Sequence, residues 1–167
     1  MKPHHLLINS LLLISAGTVM ADSVATAHQA PRNFVQTAKA VTFKTGKSGQ
    51  VEMTLHGVSG KTLWFSDRPM RKACTYTTQY FVKNWYTPAQ SGFNNDSPNA
   101  TLTANARDDD AGDTVMSVMQ LSNPQYSVAK LTLSYTISRI FHHGKQAKTL
   151  HNASLFIDVC FPPFGGC

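Results

Sequence analysis

Four groups of side chains in this chain are of types and spacings that could do chemistry. Asp67-Arg68-Pro69-Met70-Arg71 sets two guanidinium groups beside one carboxylate, an arrangement whose forked donors match a carboxylate or phosphate ligand. Trp64 stands three residues before Asp67 and offers an aromatic wall to the same ligand, so Asp67, Arg68, Arg71 and Trp64 form the candidate ligand-binding set. The competing reading has Asp67 capping the turn or the helix region and pairing with Arg68 to fix a strand-to-helix corner. A hydrolase built on Asp67, Arg68 and Arg71 with His56 as a fourth member is the enzymatic alternative. No catalytic residue is assigned, because the chain has a single glutamate, Glu52, and no Gly-x-Ser-x-Gly elbow.

Two groups invite a metal and fit one poorly. Asp108-Asp109-Asp110-Ala111-Gly112-Asp113 has the close carboxylates that suit a hard cation, with Asp108 and Asp110 as the candidate ligands. Counted as a calcium loop from Asp108, however, position five is Gly112 and position twelve is Met119, where acidic or amide groups belong. A solvated hairpin tip is the better reading. His142 and His143, with His151 further on, are the candidate zinc or copper ligands of a metal-binding envelope protein. Adjacent residues of a strand point to opposite faces, which keeps His142 and His143 from sharing one ion. No cofactor motif is present, and none is expected to be needed.

The fourth group is Cys74, Cys160 and Cys167. Their reading depends on the compartment, and the first residues speak to that. Lys2 precedes an apolar run from Leu6 to Val19, and Val19-Met20-Ala21 places modest side chains before a cut after Ala21. Residues 1–21 thus read as a cleavable secretory signal, and the run is too short for a membrane-spanning helix, which needs about 20 apolar residues. Thr18 stands where a lipidated cysteine would follow Ile14-Ser15-Ala16-Gly17, so no lipoprotein is expected. The destination is periplasmic or secreted, where cysteines form disulfides. A Cys160–Cys167 bond is expected across Phe-Pro-Pro-Phe-Gly-Gly, with Cys74 bonded to one of them as the alternative.

The elements that must position these groups follow from period-two patterning. Residues 22–38 read as a flexible lead-in, and 39–167 as one β-rich domain. Strands are expected at Ala40–Phe43, Val51–His56, Thr62–Ser66, Ala100–Ala106, Thr114–Leu121, Leu131–Ile137 and Ala153–Cys160. Gly46–Gly49 marks a turn, Gly57–Gly60 reverses the chain into a hairpin with Thr62–Ser66, and Asn123-Pro124 marks another turn. Val115, Met119 and Leu121 with Met116 and Val118 make 114–121 apolar on both faces, the mark of a central strand. One short helix is expected over about 77–87, capped by Thr77 and placing Phe81, Val82 and Trp85 on one face. The fold class is therefore mainly β, a single antiparallel β-sandwich-like domain with one short helix.

Charge and composition narrow the partners. The formal net charge is +6, spread along the chain with no basic run interleaved with aromatics, which argues against nucleic acid. No second long apolar segment exists, so no transmembrane span is expected after cleavage.

Several stretches resemble a family of small exported bacterial proteins. They are Leu55-His56-Gly57-Val58, Trp64-Phe65-Ser66-Asp67-Arg68-Pro69 with Arg71, Phe81-Val82 with Trp85, Pro98-Asn99-Ala100-Thr101-Leu102, Leu121-Ser122-Asn123-Pro124 and Ser154-Leu155-Phe156-Ile157-Asp158. The Trp-Phe-Ser-Asp-Arg-Pro element is the most specific of them. The resemblance implies export and a single domain, and carries no activity, substrate or cofactor with it. Cys74 and the Cys-terminated tail depart from the family pattern. The expected function is a non-enzymatic exported domain that binds a protein, glycan or envelope component.

Overall fold

The computed structural model describes residues 31–87, 92–107, 113–143 and 148–160, without the side chains of 139, 140, 142, 143, 159 and 160. The signal at 1–21, the first part of the lead-in, Asp108, Asp110 and Cys167 lie outside these residues, as do the side chains of His142, His143 and Cys160.

The chain is mainly β: one antiparallel sheet of eight strands with a single short helix. The elements run β1 (Arg32–Thr45), β2 (Val51–His56), β3 (Lys61–Ser66), β4 (Ala73–Thr77), α1 (Thr78–Trp85), β5 (Asn99–Asn105), β6 (Thr114–Ser127), β7 (Thr132–His143) and β8 (Thr149–Cys160). In the sheet the order is β2-β7-β6-β5-β8-β1-β3-β4, and β2 also pairs with β1. That extra pairing closes β1, β2, β7, β6, β5 and β8 into a ring and leaves β3 and β4 extending from it, so two opposed walls share one core in the manner of a sandwich. Closure also removes exposed edges along this ring.

β1 starts earlier than the sequence suggests. Arg32 to Ala38, expected in a flexible lead-in, form the first half of a strand of 14 residues. Phe34, Gln36, Ala38 and Val41 are buried; even positions face inward from Phe34 to Ala38, a glutamine among them, and the phase changes before Val41. β1 is long enough to hold two partners on one edge. β2 occupies 40–45 and β3 occupies 32–35.

This arrangement overturns the expected β2–β3 hairpin. Ala40 faces His56 and Val35 faces Leu63, so five steps back along β1 match seven steps forward from β2 into β3. The chain does not reverse at Gly57–Gly60; it continues along β1 with a slip of two residues. Val58 N donates to Leu131 O at 3.0 Å, and Ser59 N donates to Thr37 O at 2.9 Å. The break lets β3 leave β7 and pair with β4 instead. β4 alternates Cys74 and Tyr76 inward between exposed residues and pairs with β3 alone.

α1 matches its expectation closely. Thr77 is the N-cap, and its hydroxyl accepts from Tyr80 N at 3.1 Å. Phe81 and Trp85 are fully inward and pack with Phe34, Phe93 and Tyr135, with ring centroids from 4.6 to 5.8 Å apart for Trp85–Phe93, Phe34–Phe81 and Phe34–Phe93. The helix thereby covers one side of the core.

Two further boundaries differ. Asn123-Pro124 does not turn the chain: β6 runs through it to Ser127, absorbing the irregularity as a register shift with Asn123 at φ 50°. Leu131 precedes β7 rather than opening it, sits at φ 48° and is exposed.

Candidate functional site

The Asp67–Arg71 group forms the tip of the β3–β4 hairpin. Asp67 Oδ1 accepts from Arg68 N at 2.7 Å, Asp67 O accepts from Arg71 N at 3.1 Å, and Ser66 exchanges bonds with Lys72 across the turn. The Arg68–Pro69 peptide is cis and Arg71 lies at φ 46°. Asp67, Arg68 and Arg71 are all exposed on this tip. The carboxylate thus accepts within a hairpin tip and not at a strand-to-helix corner, because β4 stands between β3 and α1.

Trp64 is not beside them. It is 2 % exposed on the inner face, with the Arg32 guanidinium 4.2 Å above its ring and Tyr76 stacked 6.0 Å away. Arg32 Nη1 donates to Tyr76 Oη at 2.6 Å, and burial raises the Tyr76 phenol above its ordinary 10.0 although Arg32 pulls it down. The indole Nε1 of Trp64 is buried without a hydrogen-bond partner.

His56 is further still. It pairs with Ala40 whereas Ser66, next to Asp67, pairs with Arg32 on the same edge of β1. Eight residues of strand separate the two levels, about 26 Å at 3.3 Å per residue. The side chain of His56 is instead bonded to Thr42 at 2.8 Å. The four members of the hydrolase reading do not converge. Among the described residues, no three of His, Cys, Asp and Glu gather as a metal site. Asp108, Asp110 and the His142 and His143 side chains fall outside that statement.

What the sheet does bring together is a row of apolar side chains on its outer face. Directly paired residues of an antiparallel sheet share a face. Leu63 pairs with Val35, Val35 with Phe156, Phe156 with Thr101, Thr101 with Val118, and Val118 with Phe141. The row crosses β3, β1, β8, β5, β6 and β7, about 24 Å at 4.8 Å per strand. Phe141 is 72 % exposed and Phe156 44 %, and Leu63 and Val118 are exposed as well. An open groove of about 500 Å³ lies along this row, lined by Phe65, Phe156, Val118, Asn33, Thr101 and Asp158 among others.

A scan of protein-family models and searches of curated proteins and of solved structures found no match to this chain. The site is therefore read from its own geometry.

The band is narrow. On one side its neighbours are Thr37, Ser154 and Thr103, themselves paired in a row. On the other stand Asn33, Asp158, Asn99 and Gln120, with Gln120 Nε2 donating to Ser97 O at 3.0 Å. Hydroxyls and amides thus flank the middle of the strip, while exposed Met116, paired with Thr103, and Phe65, paired with Asn33, widen it toward its two ends. A contiguous exposed apolar strip rimmed by polar groups is the ordinary form of a recognition surface.

The sequence held part of this signal. Met116 and Val118 gave β6 a second apolar face, which suggested a central strand buried on both sides. β6 does lie inside the sheet, between β5 and β7, but only Val115, Ser117, Met119 and Leu121 point to the core; Met116 and Val118 are exposed. Phe156 and Phe65 carried the same signal on β8 and β3. That they fall in one row is set by registers between distant segments.

Proposed function

We propose that this chain is an exported, non-enzymatic binding domain that holds a protein partner by an extended apolar segment laid along the outer band. The observation that carries the reading is the alignment of Leu63, Val35, Phe156, Val118 and Phe141, with Thr101 on β5, in one row across six strands, Leu63, Phe156, Val118 and Phe141 being exposed and the row flanked mainly by hydrogen-bonding side chains. The strip's width favours a linear chain over a bilayer, which would need a broad apolar face. Hydroxyl and amide rows on both sides suit the backbone of an extended polypeptide. Among the described residues no helix is long and apolar enough to cross a membrane.

Export rests on the signal at 1–21, with cleavage after Ala21 and Thr18 in place of a lipid-bearing cysteine, and on the resemblance to small exported bacterial proteins. The domain then acts in the periplasm or outside the cell. Binding through Arg68 and Arg71 has less support, since the Asp67 carboxylate bonds within its own turn and Trp64 lies buried away from the tip.

The test compares capture of envelope and supernatant proteins by the wild type, by Phe156→Asp with Phe141→Asp, and by Arg68→Ala with Arg71→Ala. The band variant is expected to lose at least about ten-fold of a reproducible partner, the loss of about 1.4 kcal/mol of contact. The arginine variant is expected to keep it. Capture that survives the band variant, or that only the arginine variant abolishes, overturns the reading.

A further inference from the structure

We infer that the groove between α1 and the far end of β6 is a saccharide site, where a pyranose ring bearing a carboxylate stacks on Tyr86 and sets its charge against Lys83. The site is independent of the outer band. Tyr126 lies eight residues along β6 from Val118, at most about 26 Å at 3.3 Å per residue. The groove holds about 370 Å³, within the range of small-ligand sites.

Two patterns in the chain build it. α1 buries Thr78, Phe81 and Trp85. That leaves Gln79, Val82, Lys83 and Tyr86, at i, i+3, i+4 and i+7, as a second stripe beside the buried one. β6 runs on past its ladder with β5, which ends where Asn99 pairs with Gln120. Pro124, Gln125 and Tyr126 are consecutive and all line the groove, so it follows the edge of the strand and not one of its faces.

Tyr86 is the fixed point. Its Oη donates to Pro124 O at 3.0 Å and accepts from Gln125 Nε2 at 3.4 Å. The ring is thus pinned while 41 % of the residue stays exposed. The same bond works against an added β-strand, because it takes the Pro124 carbonyl and proline has no N–H to offer a ladder. A compact ligand suits this edge better than an extended chain.

The side chains define its chemistry. A pyranose presents C–H bonds on one face and hydroxyls around its rim. Those C–H bonds are slightly positive and meet the negative face of a phenol ring. Val82 and Val128 extend the apolar floor. Gln79 and Gln125 are exposed beside it, and the Gln125 amide has a carbonyl and a second N–H beyond its bond to Tyr86. Paired donors and acceptors of this kind match neighbouring hydroxyls. Among the described residues, Lys83 is the one charged side chain lining the groove, and α1 carries no acidic residue. Charge complementarity therefore selects a sugar with a carboxylate.

The test titrates the chain with methyl β-D-glucuronide and with methyl β-D-glucoside, followed by amide shifts in two-dimensional NMR. The glucuronide is expected to bind with a Kd of about 1 mM, and the glucoside about two- to five-fold more weakly, the scale of one exposed ion pair. The shifts are expected at Gln79, Lys83, Gln125 and Tyr126. Lys83→Gln, on the exposed side of α1, is expected to remove the difference between the two sugars and leave glucoside binding unchanged. Tyr86→Ala is expected to weaken both by at least about five-fold, and Tyr86→Phe, which keeps the ring, to weaken them less. An unshifted spectrum, a preference for the acid that survives Lys83→Gln, shifts confined to the outer band, or the same shifts from acetate alone overturns the inference.

Discussion

At the scale of single residues, the inner face shows how polar groups are held in a mostly apolar core. Tyr135 Oη donates to Gln36 Oε1 at 2.8 Å, Gln36 Nε2 donates to Thr62 Oγ1 at 3.3 Å, and Thr62 and Thr78 share a bond at 3.1 Å. Thr78 Oγ1 then donates to Ser59 O at 2.7 Å, which ends the chain at the β2–β3 break. Tyr135 was legible as a core position from the alternation of β7, but Gln36 was not. A glutamine in a strand reads as an outward residue until its partner, 99 positions away, is known. Tyr135→Phe leaves the Gln36 carbonyl buried without its donor and is expected to cost about 1–3 kcal/mol in urea unfolding. Complete burial also raises the Tyr135 phenol far above 10.0, against a smaller lowering by Gln36. An acid whose pKa is raised by folding stabilises fully below its unfolded value. Above pH 10 the unfolded chain releases a proton that the folded chain keeps, and the contribution is lost. Stability should therefore fall from about pH 8 to about pH 11 more steeply in the wild type than in Tyr135→Phe. Equal slopes would remove Tyr135 from the account.

At the scale of elements, local signals are legible in the sequence and strand pairing is not. α1 came from its own cap and spacing, Thr77 with Phe81 and Trp85, and all three behave as those rules require. The error at Gly57–Gly60 has a different cause. Two glycines between two strands look like a reversal, and local sequence cannot tell a reversal from a break in one long strand. The slip against β1 settles it, because β3 goes on in β2's direction. The break has its own demand. Gly57 lies at φ 61°, and a Cβ there would meet the Lys39 side chain at 3.0 Å, whereas a Cβ on Gly60 would meet nothing within 4 Å. Gly57→Ala is expected to lower stability by about 1–2 kcal/mol, the left-handed cost for a residue with a Cβ. Gly60→Ala should change it by less than about 0.5 kcal/mol. Thermal unfolding of the two variants checks this; similar losses would mean that the loop as a whole, and not the Gly57 conformation, sets the register.

At the scale of the whole molecule, one partition governs both the fold and its proposed use: period two sends alternate residues to a closed core and to an outer face. Closure depends on the ends of the domain meeting, since β1 pairs with β8 over most of its length. The chain cannot complete this sheet until β8 is present. The sequence showed the partition strand by strand. It could not show that the outward apolar residues form one row, because that needs five registers at once. The partition can be tested on two neighbours. Leu155 is fully buried, while Phe156 beside it faces out between Val35 and Thr101. Leu155→Ala is expected to cost about 2–5 kcal/mol, the usual range for a core leucine. Phe156→Ser removes the larger side chain yet should cost less than Leu155→Ala, about 1–2 kcal/mol, since 44 % of Phe156 is already exposed. The same substitution should raise solubility, because it interrupts the band at its middle. Urea midpoints and solubility limits of the two variants decide the matter. A large loss in Phe156→Ser would mean that the band is part of the domain's own packing, and a small loss leaves Phe156 for a partner.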